Sequence, residues 1–255
     1  MTKTLINHLT KITNAPNVET AWALHCARMQ DFGFDRLLYG FTHFGTPTGL
    51  GNPDDFIVLT NHKKEYIDGF IGKGHYNSAP MTRWAIENEG YASWRMIDDL
   101  IQSGQASKEV IDAVEFNKCH DVTCGVTISF KAILYRSRGA IALTGSPDMT
   151  QDDVDKIWAA HKDELIMLNN VAHLKILSLP FTTMSGRRLT KRQREALEWV
   201  GDGKTSQDIA VLMGLTQATV EKHLRLARET LGVETTAQAV LKASFQNQMF
   251  RLEGI

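Results

Sequence analysis

The sequence contains no run of about 18 consecutive apolar residues, which is the length that a membrane-spanning helix requires. Its first residues, MTKTLINHLTKITN, have neither the apolar core nor the small-residue cleavage site of a secretory signal peptide. Only three cysteines occur, Cys26, Cys119 and Cys124, which is too few and an odd number for a secreted disulfide scaffold. These absences predict a soluble cytoplasmic protein with free thiols and no membrane partner.

An excess of one charge is also missing, because 28 Lys and Arg balance 29 Asp and Glu to a net charge of -1. This balance argues against a histone-like or membrane-surface protein, so any affinity for nucleic acid has to be local. Proline is scarce, with six residues, and the chain has no internal repeat or low-complexity tract. With 255 residues, 43% of them apolar, the chain can form one large domain or two modest ones with a buried core.

Residue groups that would indicate a metal or catalytic site are absent from the sequence as well. His120 lies between Cys119 and Cys124, but a zinc site would need a second Cys-x-x-Cys or a pair of histidines. His25 and Cys26 are neighbours in a helical pattern, so their side chains point apart. An enzyme would need a nucleophile and a base converging on one cavity, and the sequence offers no such spacing. We therefore predict no enzyme activity, no metal and no cofactor.

A linker divides the chain into two parts. Residues 180–188, PFTTMSGRR, combine Pro, Gly, Ser and Thr directly after a long helical pattern. Beyond residue 179 there are 11 basic and 8 acidic residues, which gives +3 and leaves -4 for the rest. An acidic front and a basic tail are typical of a sensor joined to a nucleic-acid-binding domain. We expect a sensor domain at 1–178, a linker at 179–188 and a DNA-binding domain at 189–255.

The last part of the chain carries the start and stop signals of four short helices, with a capping-box pattern at Thr190 and Gln193. The predicted helices are 191–200, 206–213, 217–231 and 237–249. Ala210, Gly214 and Val220 add a helix-turn-helix pattern: a small residue where helices cross, a glycine in the turn and a branched anchor. On the 217–231 helix one face carries Val220, Leu224, Ala227 and Leu231, and the other carries Ala218, Lys222, Arg225 and Glu229.

The second of these faces has the chemistry of DNA readout. Arg225 can donate to guanine O6 and N7, Glu221 can accept from a cytosine amino group, and Lys222 can reach guanine or phosphate. Helix N-termini at Thr205 and Thr216, together with Lys204, suit phosphate groups. The alternative is that these charges form an ordinary solvated helix face.

The segment LTKRQREALEWVGDGKTSQDIAVLMGLTQATVEKHLRLARETLGV resembles the four-helix DNA-binding domain of LuxR-type transcription regulators. The resemblance implies that Thr219, Glu221, Lys222 and Arg225 lie in the DNA groove. It also implies a homodimer on a two-fold symmetric double-stranded site and contact with RNA polymerase. The full set of predicted DNA-binding residues is Lys204, Thr205, Thr216, Ala218, Thr219, Glu221, Lys222, Arg225 and Arg228.

The first part of the chain predicts an antiparallel sheet sandwiched by helices, so that an α+β sensor precedes an all-α domain. Residues 34–44 read as one strand, and 126–135 and 140–143 read as a hairpin about Ser137–Gly139. A pattern of about 28 residues, from Thr150 to Ser178, predicts a long helix. Its apolar stripe can pack on the sheet, and we expect dimer contacts along it too.

This layout resembles the autoinducer-binding domain of LuxR-type quorum-sensing proteins. The resemblance implies an acyl-homoserine lactone between sheet and helices, with a Trp on the lactone carbonyl, a Tyr one turn later, and an Asp before a Pro on the ligand amide. At these positions the chain has Tyr66, Phe70 and Ala79, whereas Trp94 and Gly125 match a later Trp and Gly. Three of the six signature positions therefore differ.

The change at Ala79 weakens the expected ligand contact most, because alanine cannot accept a hydrogen bond from a ligand N–H. Leaving that N–H buried and unpaired costs about 1 to 3 kcal/mol. Ala142, where relatives often have Ser or Thr, removes another partner. A different small molecule, or a ligand-independent regulator or dimerisation partner, is therefore an alternative, as is plain core packing for the aromatic residues. The predicted ligand-binding residues are Tyr39, His62, Tyr66, Phe70, Ala79, Trp94 and Ala142.

Overall fold

The computed structural model describes residues 3–46, 49–132, 134–181, 184, 186 and 188–250. The chain divides into two units: the first runs as far as Ile176, and the second begins at Leu177 and also includes Pro16–Val18. Residues 182, 183, 185 and 187 of the predicted linker, and residues 251–255 of the predicted DNA-binding domain, lie outside the described residues.

The first unit is built on an antiparallel sheet with the strand order β2-β1-β5-β4-β3. The strands are β1 (Phe34–Thr42), β2 (Ile57–Thr60), β3 (Gly90–Ser93), β4 (Gly125–Ser129) and β5 (Arg138–Gly145). The predicted α+β class and the strand at 34–44 are confirmed, although β1 ends two residues earlier. The edge strands β2 and β3 were not predicted, because four residues are too short to show a two-residue periodicity.

The predicted hairpin turn at Ser137–Gly139 is wrong, since Arg138 and Gly139 already belong to β5. They pair with Thr42 and Phe41 of β1. A Cβ at Gly139 would lie 2.8 Å from the Phe41 ring and 3.2 Å from the His173 ring. This glycine therefore permits close packing of side chains against the strand, and the connection between β4 and β5 lies at 130–137.

Helices surround this sheet on the two faces. They are α1 (Lys3–Thr13), α2 (Val18–Gln30), α3 (Lys64–Phe70), α4 (Pro80–Glu87), α5 (Arg95–Gln102), α6 (Lys108–Lys118) and α7 (Gln151–Ser178). The long helix was predicted correctly as α7, with 28 residues. Within the part of the chain that the structure describes, no helix combines the length and apolarity needed to cross a bilayer.

The apolar stripe of α7 is used inside the first unit. Val154, Trp158, Leu165 and Leu168 of that stripe are buried. Tyr39 of β1 lies with its hydroxyl 2.9 Å from His173 Nδ1 of the same helix, which ties α7 to the sheet. These four residues are therefore not available to a second subunit, whereas Ile157 and Val171 of the stripe are half-buried and His161 is exposed.

The second unit consists of α8 (Lys191–Gly201), α9 (Ser206–Met213), α10 (Gln217–Leu231) and α11 (Thr236–Phe245). The first three helices agree with the sequence to within one residue, and the capping box of Thr190 and Gln193 is present. Gly214 and Gly232 end α9 and α10 in the left-handed conformation that glycine adopts without strain. The last helix ends four residues before the predicted Met249, and Asn247 then has a φ of 48°.

Candidate functional site

A cavity of about 190 Å³ lies between the sheet and helices α3, α4, α5 and α6. By the same measure a water molecule needs only about 10 to 15 Å³, so the cavity has room for a much larger ligand. Successive side chains of a strand point to opposite faces, and alternate residues of the central strands reach this space. The strand residues at the cavity include Leu38 and Gly40 of β1, Thr127 of β4, and Ala142 and Thr144 of β5.

All seven residues predicted to bind a ligand border this cavity, namely Tyr39, His62, Tyr66, Phe70, Ala79, Trp94 and Ala142. Tyr39 requires a correction, because its side chain belongs to the opposite face of the sheet. Its hydroxyl is paired with His173, and its ring centroid lies 6.4 Å from that of Trp22 on α2. The Tyr39 hydroxyl is therefore engaged away from the cavity, where core packing explains it.

An aromatic stack centred on Tyr66 forms one wall of the cavity. The ring of His62 stacks on Tyr66 at a centroid distance of 4.5 Å, and Phe70 stacks on it at 5.3 Å. The Tyr66 hydroxyl donates to Asn117 Oδ1 at 3.1 Å. Burial lowers the pKa of His62 to about 4 and raises the pKa of Tyr66. Both side chains are therefore uncharged at neutral pH, and the wall favours an uncharged ligand.

Trp94 lies against the floor of the cavity and already has a hydrogen-bond partner. Its indole Nε1 donates to Thr127 Oγ1 at 2.9 Å. Gly125 makes this position possible, because a Cβ there would lie 3.0 Å from the Trp94 ring and 2.4 Å from the Leu143 carbonyl oxygen. The pair that matches the resemblance, Trp94 and Gly125, thus forms one packing unit in which the indole N–H is paired with a threonine.

Ala79 is buried at the N-terminus of α4, where it is the N-cap residue without a side-chain hydrogen bond. A carboxylate at this point would cap the helix and face the cavity, and alanine does neither. Among the described residues that line the cavity, Asp98 of α5 carries the acidic side chain, and it is exposed, as is the lining residue Lys118 of α6. Arg138 of β5 also lines the cavity and is half-buried, so one cationic side chain lies among otherwise uncharged buried groups.

Several polar residues that line the cavity were not predicted from the sequence, among them Asn117, Thr127 and Thr144. Thr144 is buried, and its Oγ1 has no hydrogen-bond partner among the described residues. Thr127 lay inside a predicted strand and Thr144 one residue beyond another, so strand alternation was the signal that could have found them. The wrong hairpin turn concealed it, because it gave the wrong partners across the two strands.

The second candidate site is the exposed face of α10. Val220, Leu224, Ala227 and Leu231 are buried, as predicted, against α8, α9 and α11. The predicted DNA-contacting side chains at the N-terminal half of the helix are exposed: Thr216, Ala218, Glu221, Lys222 and Arg225, with Thr219 half-buried. A helix that packs along one side and presents polar side chains along the other can enter a DNA major groove.

Local partners hold several of these side chains. Arg225 forms an exposed ion pair with Glu229 at 2.5 Å, which is a weak interaction in solvent. Glu221 accepts a hydrogen bond from Ser206 at the start of α9. Arg228 donates to Thr236 Oγ1 of α11 at 3.0 Å, so it braces two helices. Arg225 thus has a long exposed side chain, and its weak ion pair with Glu229 can be replaced by a contact with DNA.

The sequence predicted a phosphate contact at the N-terminus of α9, but in the structure this helix end is already capped by Thr205 and Asp208. The Thr205 hydroxyl donates to Asp208 Oδ2 at 2.7 Å, and its backbone N–H donates to the same oxygen at 3.0 Å. These hydrogen bonds keep the pKa of Asp208 below its usual range, so a carboxylate already occupies this helix end. Lys204 beside it is exposed and can still reach a phosphate.

Two family models match the chain. A model described as the autoinducer binding domain matches residues 17–176, and a model described as bacterial regulatory proteins of the luxR family matches residues 187–243. The transcriptional activator protein ExpR of Dickeya dadantii is 27% identical over 200 residues, which cover 74% of this chain and 76% of ExpR.

Solved structures share the fold. Escherichia coli SdiA aligns with a TM-score of 0.56 and 18% identity, covering 97% of this chain and 98% of SdiA. SdiA in complex with octanoyl-rac-glycerol aligns with a TM-score of 0.53 and 17% identity, covering 99% of both chains. The N-acylhomoserine lactone dependent factor CepR2 from Burkholderia cenocepacia aligns with a TM-score of 0.53 and 17% identity, covering 68% of this chain and 94% of CepR2.

Proposed function

Because the chain belongs to the family of LuxR-type transcription regulators with an autoinducer-binding domain, we propose that it binds DNA as a homodimer under the control of a small molecule. The ligand occupies the cavity beside the sheet and stabilises the form of the first unit that dimerises. DNA affinity then rises by the ratio of the ligand's affinities for the competing forms. The protein acts in the cytoplasm, contacts RNA polymerase at its target sites and has no catalytic role.

The observation that carries the DNA-binding part is the exposed face of α10, with Lys222 and Arg225 on a helix whose opposite side is buried. The order of the helices supports the same function, because α9, the Gly214 turn and α10 form a helix-turn-helix. A two-fold symmetric site follows from dimerisation, since two copies of α10 then meet two half-sites. Footprinting of the full chain on genomic promoter fragments tests this proposal, and the absence of any protected symmetric site would refute it.

Replacing Arg225 by alanine is expected to weaken specific binding by about 1 to 3 kcal/mol and to relax the preference at one base pair. The physical reason is the loss of two hydrogen bonds to guanine, while the ion pair with Glu229 costs little to break. Titration of the variant on a specific duplex and on a scrambled duplex measures the effect.

The matched control for this change is Arg192→Ala. Arg192 is as exposed as Arg225, at 53%, and forms a similar ion pair, with Glu195, but it lies on α8. The Arg192→Ala variant should retain the preference of the parent protein for the specific duplex. Equal losses on specific and scrambled duplexes for Arg225→Ala would contradict base readout by that residue.

Replacing Lys204 by alanine is expected to lower affinity on all sequences and to reduce the slope of log K against log salt by about one. Each lysine that neutralises a phosphate releases about one counterion, so the slope counts such contacts. Binding titrations between low and physiological salt provide the slope. Lys64→Ala replaces an exposed lysine on α3 of the first unit, and this control should leave the slope unaltered. An unchanged slope for Lys204→Ala would mean that Lys204 does not contact phosphate.

For the ligand we propose an acyl-homoserine lactone or a related acyl compound, which the apolar cavity supports. Ala79 favours the second candidate, a regulator or dimerisation partner that has lost lactone binding, because the buried acceptor for the ligand amide is missing. Thermal unfolding of the full chain with lactones of different acyl length separates the two. Stabilisation by a lactone supports the first candidate, and stabilisation by none of them supports the second.

A further inference from the structure

We propose that Arg138 forms an anion-binding subsite at the mouth of the cavity, and that this subsite takes a carboxylate carried on an apolar chain, as in a medium-chain fatty acid. The inference rests on the proposed function, because it assumes that the cavity holds a ligand. It places the charged group of that ligand at the start of β5, and it names a ligand class that needs neither a lactone ring nor an amide.

Arg138 lies at the opposite end of the cavity from Trp94. Side chains of a strand alternate between its two faces, and Arg138 is four residues from Ala142, so both lie on the cavity face of β5. Four residues of a strand span about 13 Å. Trp94 donates to Thr127, which pairs with Ala142, so the Trp94 end of the cavity lies one such span away. One end of the cavity is therefore aromatic and uncharged, and the other end is cationic.

A second hollow meets the cavity at Arg138. It has a volume of about 460 Å³ and is bordered by α4 and by the connection between β4 and β5. Some of its lining residues, including Leu134 and Tyr135, are exposed, so the hollow opens to solvent. An amphipathic molecule that enters chain first would therefore leave its polar end at Arg138. The residues that border both the hollow and the cavity are Ala85, Ile86, Arg138 and Gly139.

The hydrogen bonds of Arg138 leave one edge of its guanidinium group for a ligand. Nη1 donates to the carbonyl oxygens of Tyr135 at 3.0 Å and Ser137 at 2.8 Å. Nε is buried without a hydrogen-bond partner among the described residues, and Nη2 donates to none of them either. The Nε and Nη2 hydrogens lie along one edge of the planar group, where a carboxylate can accept two parallel hydrogen bonds. Nη1 thus anchors the side chain, and the other edge suits an acid.

The charge of Arg138 forms no ion pair among the described residues. Glu87 and Glu89 border the hollow, but both are exposed and stay hydrated. Lys118 of α6, the other cation among the described lining residues, is exposed and is paired with Glu115 at 2.9 Å. A half-buried charge that lacks a partner gains most from an ion that a ligand brings. Arg138, rather than Lys118, is therefore the cation that selects a carboxylate.

The space between the two ends of the cavity suits a hydrocarbon chain. Its lining includes apolar side chains from β1, β2 and α4, namely Leu38, Val58, Met81 and Ile86. Each methylene group that enters this space is removed from water, which favours binding. A small anion such as acetate gains only the contact with Arg138, so the ligand that uses the whole site is an acid with a chain.

The test compares decanoate with decanamide on the full chain by isothermal titration calorimetry at pH 7. The two probes have the same chain and nearly the same shape, but only decanoate is charged. We expect decanoate to bind at least about ten-fold more tightly, because charged acceptors form the stronger hydrogen bonds with arginine. Equal binding, tighter binding of the amide, or binding of neither probe overturns the proposal. Footprinting of the same preparation separates this failure from that of the proposed function, because a protected symmetric site then remains.

Variants assign the effect to Arg138. Arg138→Met should bring the two affinities to within about two-fold, and Arg138→Lys should reduce the preference to about three-fold, because lysine keeps the charge without the planar fork. Arg136→Met is the matched control. Arg136 donates to the Gly45 carbonyl at 3.0 Å from the same connection, but it borders neither the cavity nor the hollow. This variant should keep the ten-fold preference.

Thermal unfolding without a probe shows whether each variant folds as the parent does. Arg138→Lys retains the positive charge and a donor for the Tyr135 and Ser137 carbonyl oxygens, so it supplies the answer if Arg138→Met does not fold. An undiminished preference for decanoate in either Arg138 variant, or a loss of the preference in Arg136→Met, overturns the assignment of the carboxylate to Arg138.

Discussion

Acidification from pH 7 to pH 5 is expected to lower the free energy of unfolding of the first unit by about 6 kcal/mol, through three histidines, His25, His62 and His173. Burial lowers the pKa of each of them to about 4. In the unfolded chain all three return to about 6.5, so the unfolded state binds more protons between these values. The contribution of these histidines to stability is therefore fully present above pH 6.5 and is lost as the pH falls toward 4. By pH 5 each histidine has lost about 2 kcal/mol of this contribution.

The surroundings of His25 and His173 show why burial disfavours their protonation in the folded state. Asn169 Nδ2 donates to the Leu165 carbonyl at 2.8 Å, so its Oδ1 accepts from His25 Nε2 at 3.0 Å. His25 Nδ1 is then buried with no partner among the described residues. His173 Nδ1 lies 2.9 Å from the Tyr39 hydroxyl, in the core between β1 and α7. Protonation of either ring would bury a charge that no acidic group neutralises.

Urea unfolding at pH 7 and pH 5, followed by tryptophan fluorescence, measures this effect. The signal reports mainly on the first unit, because four of the five tryptophans lie there. His173→Phe should reduce the pH-dependent loss by about a third, whatever its effect on stability at pH 7. The control His161→Gln changes an exposed residue of the same helix and should leave the loss intact. Equal stability of the parent at both pH values would contradict the prediction.

The second large effect is expected from Gly125→Ala, which should destabilise the first unit by about 3 kcal/mol. The added Cβ would lie 2.4 Å from the Leu143 carbonyl oxygen and 3.0 Å from the Trp94 ring. A backbone oxygen in a central strand pair cannot move aside as a flexible side chain can. The strand pair and the indole must therefore shift, and the Trp94 hydrogen bond to Thr127 should lengthen.

Gly40→Ala is the matched control for this change. Gly40 also lies in a strand and borders the cavity, but a Cβ there would meet nothing within 4 Å. It should leave the urea midpoint unchanged or raise it slightly, because alanine loses less backbone entropy than glycine on folding. Similar midpoints for Gly125→Ala and Gly40→Ala would show that the close approach at Gly125 is not required.

For the cavity, the sequence predicts which residues line it better than it predicts which of these residues contact each other. Tyr66 and Phe70 of the aromatic wall, and Trp94, were predicted through the resemblance to the autoinducer-binding domain. The residues of the cavity floor, Thr127 and Thr144, were not predicted, since their position depends on which residues of β4 and β5 lie opposite each other. A hairpin turning at Arg138 would place Thr127 opposite Met149, whereas the observed register places it opposite Ala142. Long-range pairing of this kind is set by the connection between strands, which has no strong turn signal.

The DNA-binding helices and the long α7 were determined by the sequence itself, because caps, glycine stops and helical periodicity act within a few residues of each other. Tertiary structure alone decided that Tyr39 points away from the cavity toward His173, and that Val154, Trp158, Leu165 and Leu168 of α7 are buried in its own unit. It also brought Thr127 and Thr144 to the cavity floor. Which face of a strand is lined by helices, and which groups meet there, depends on packing between segments that are distant in the chain.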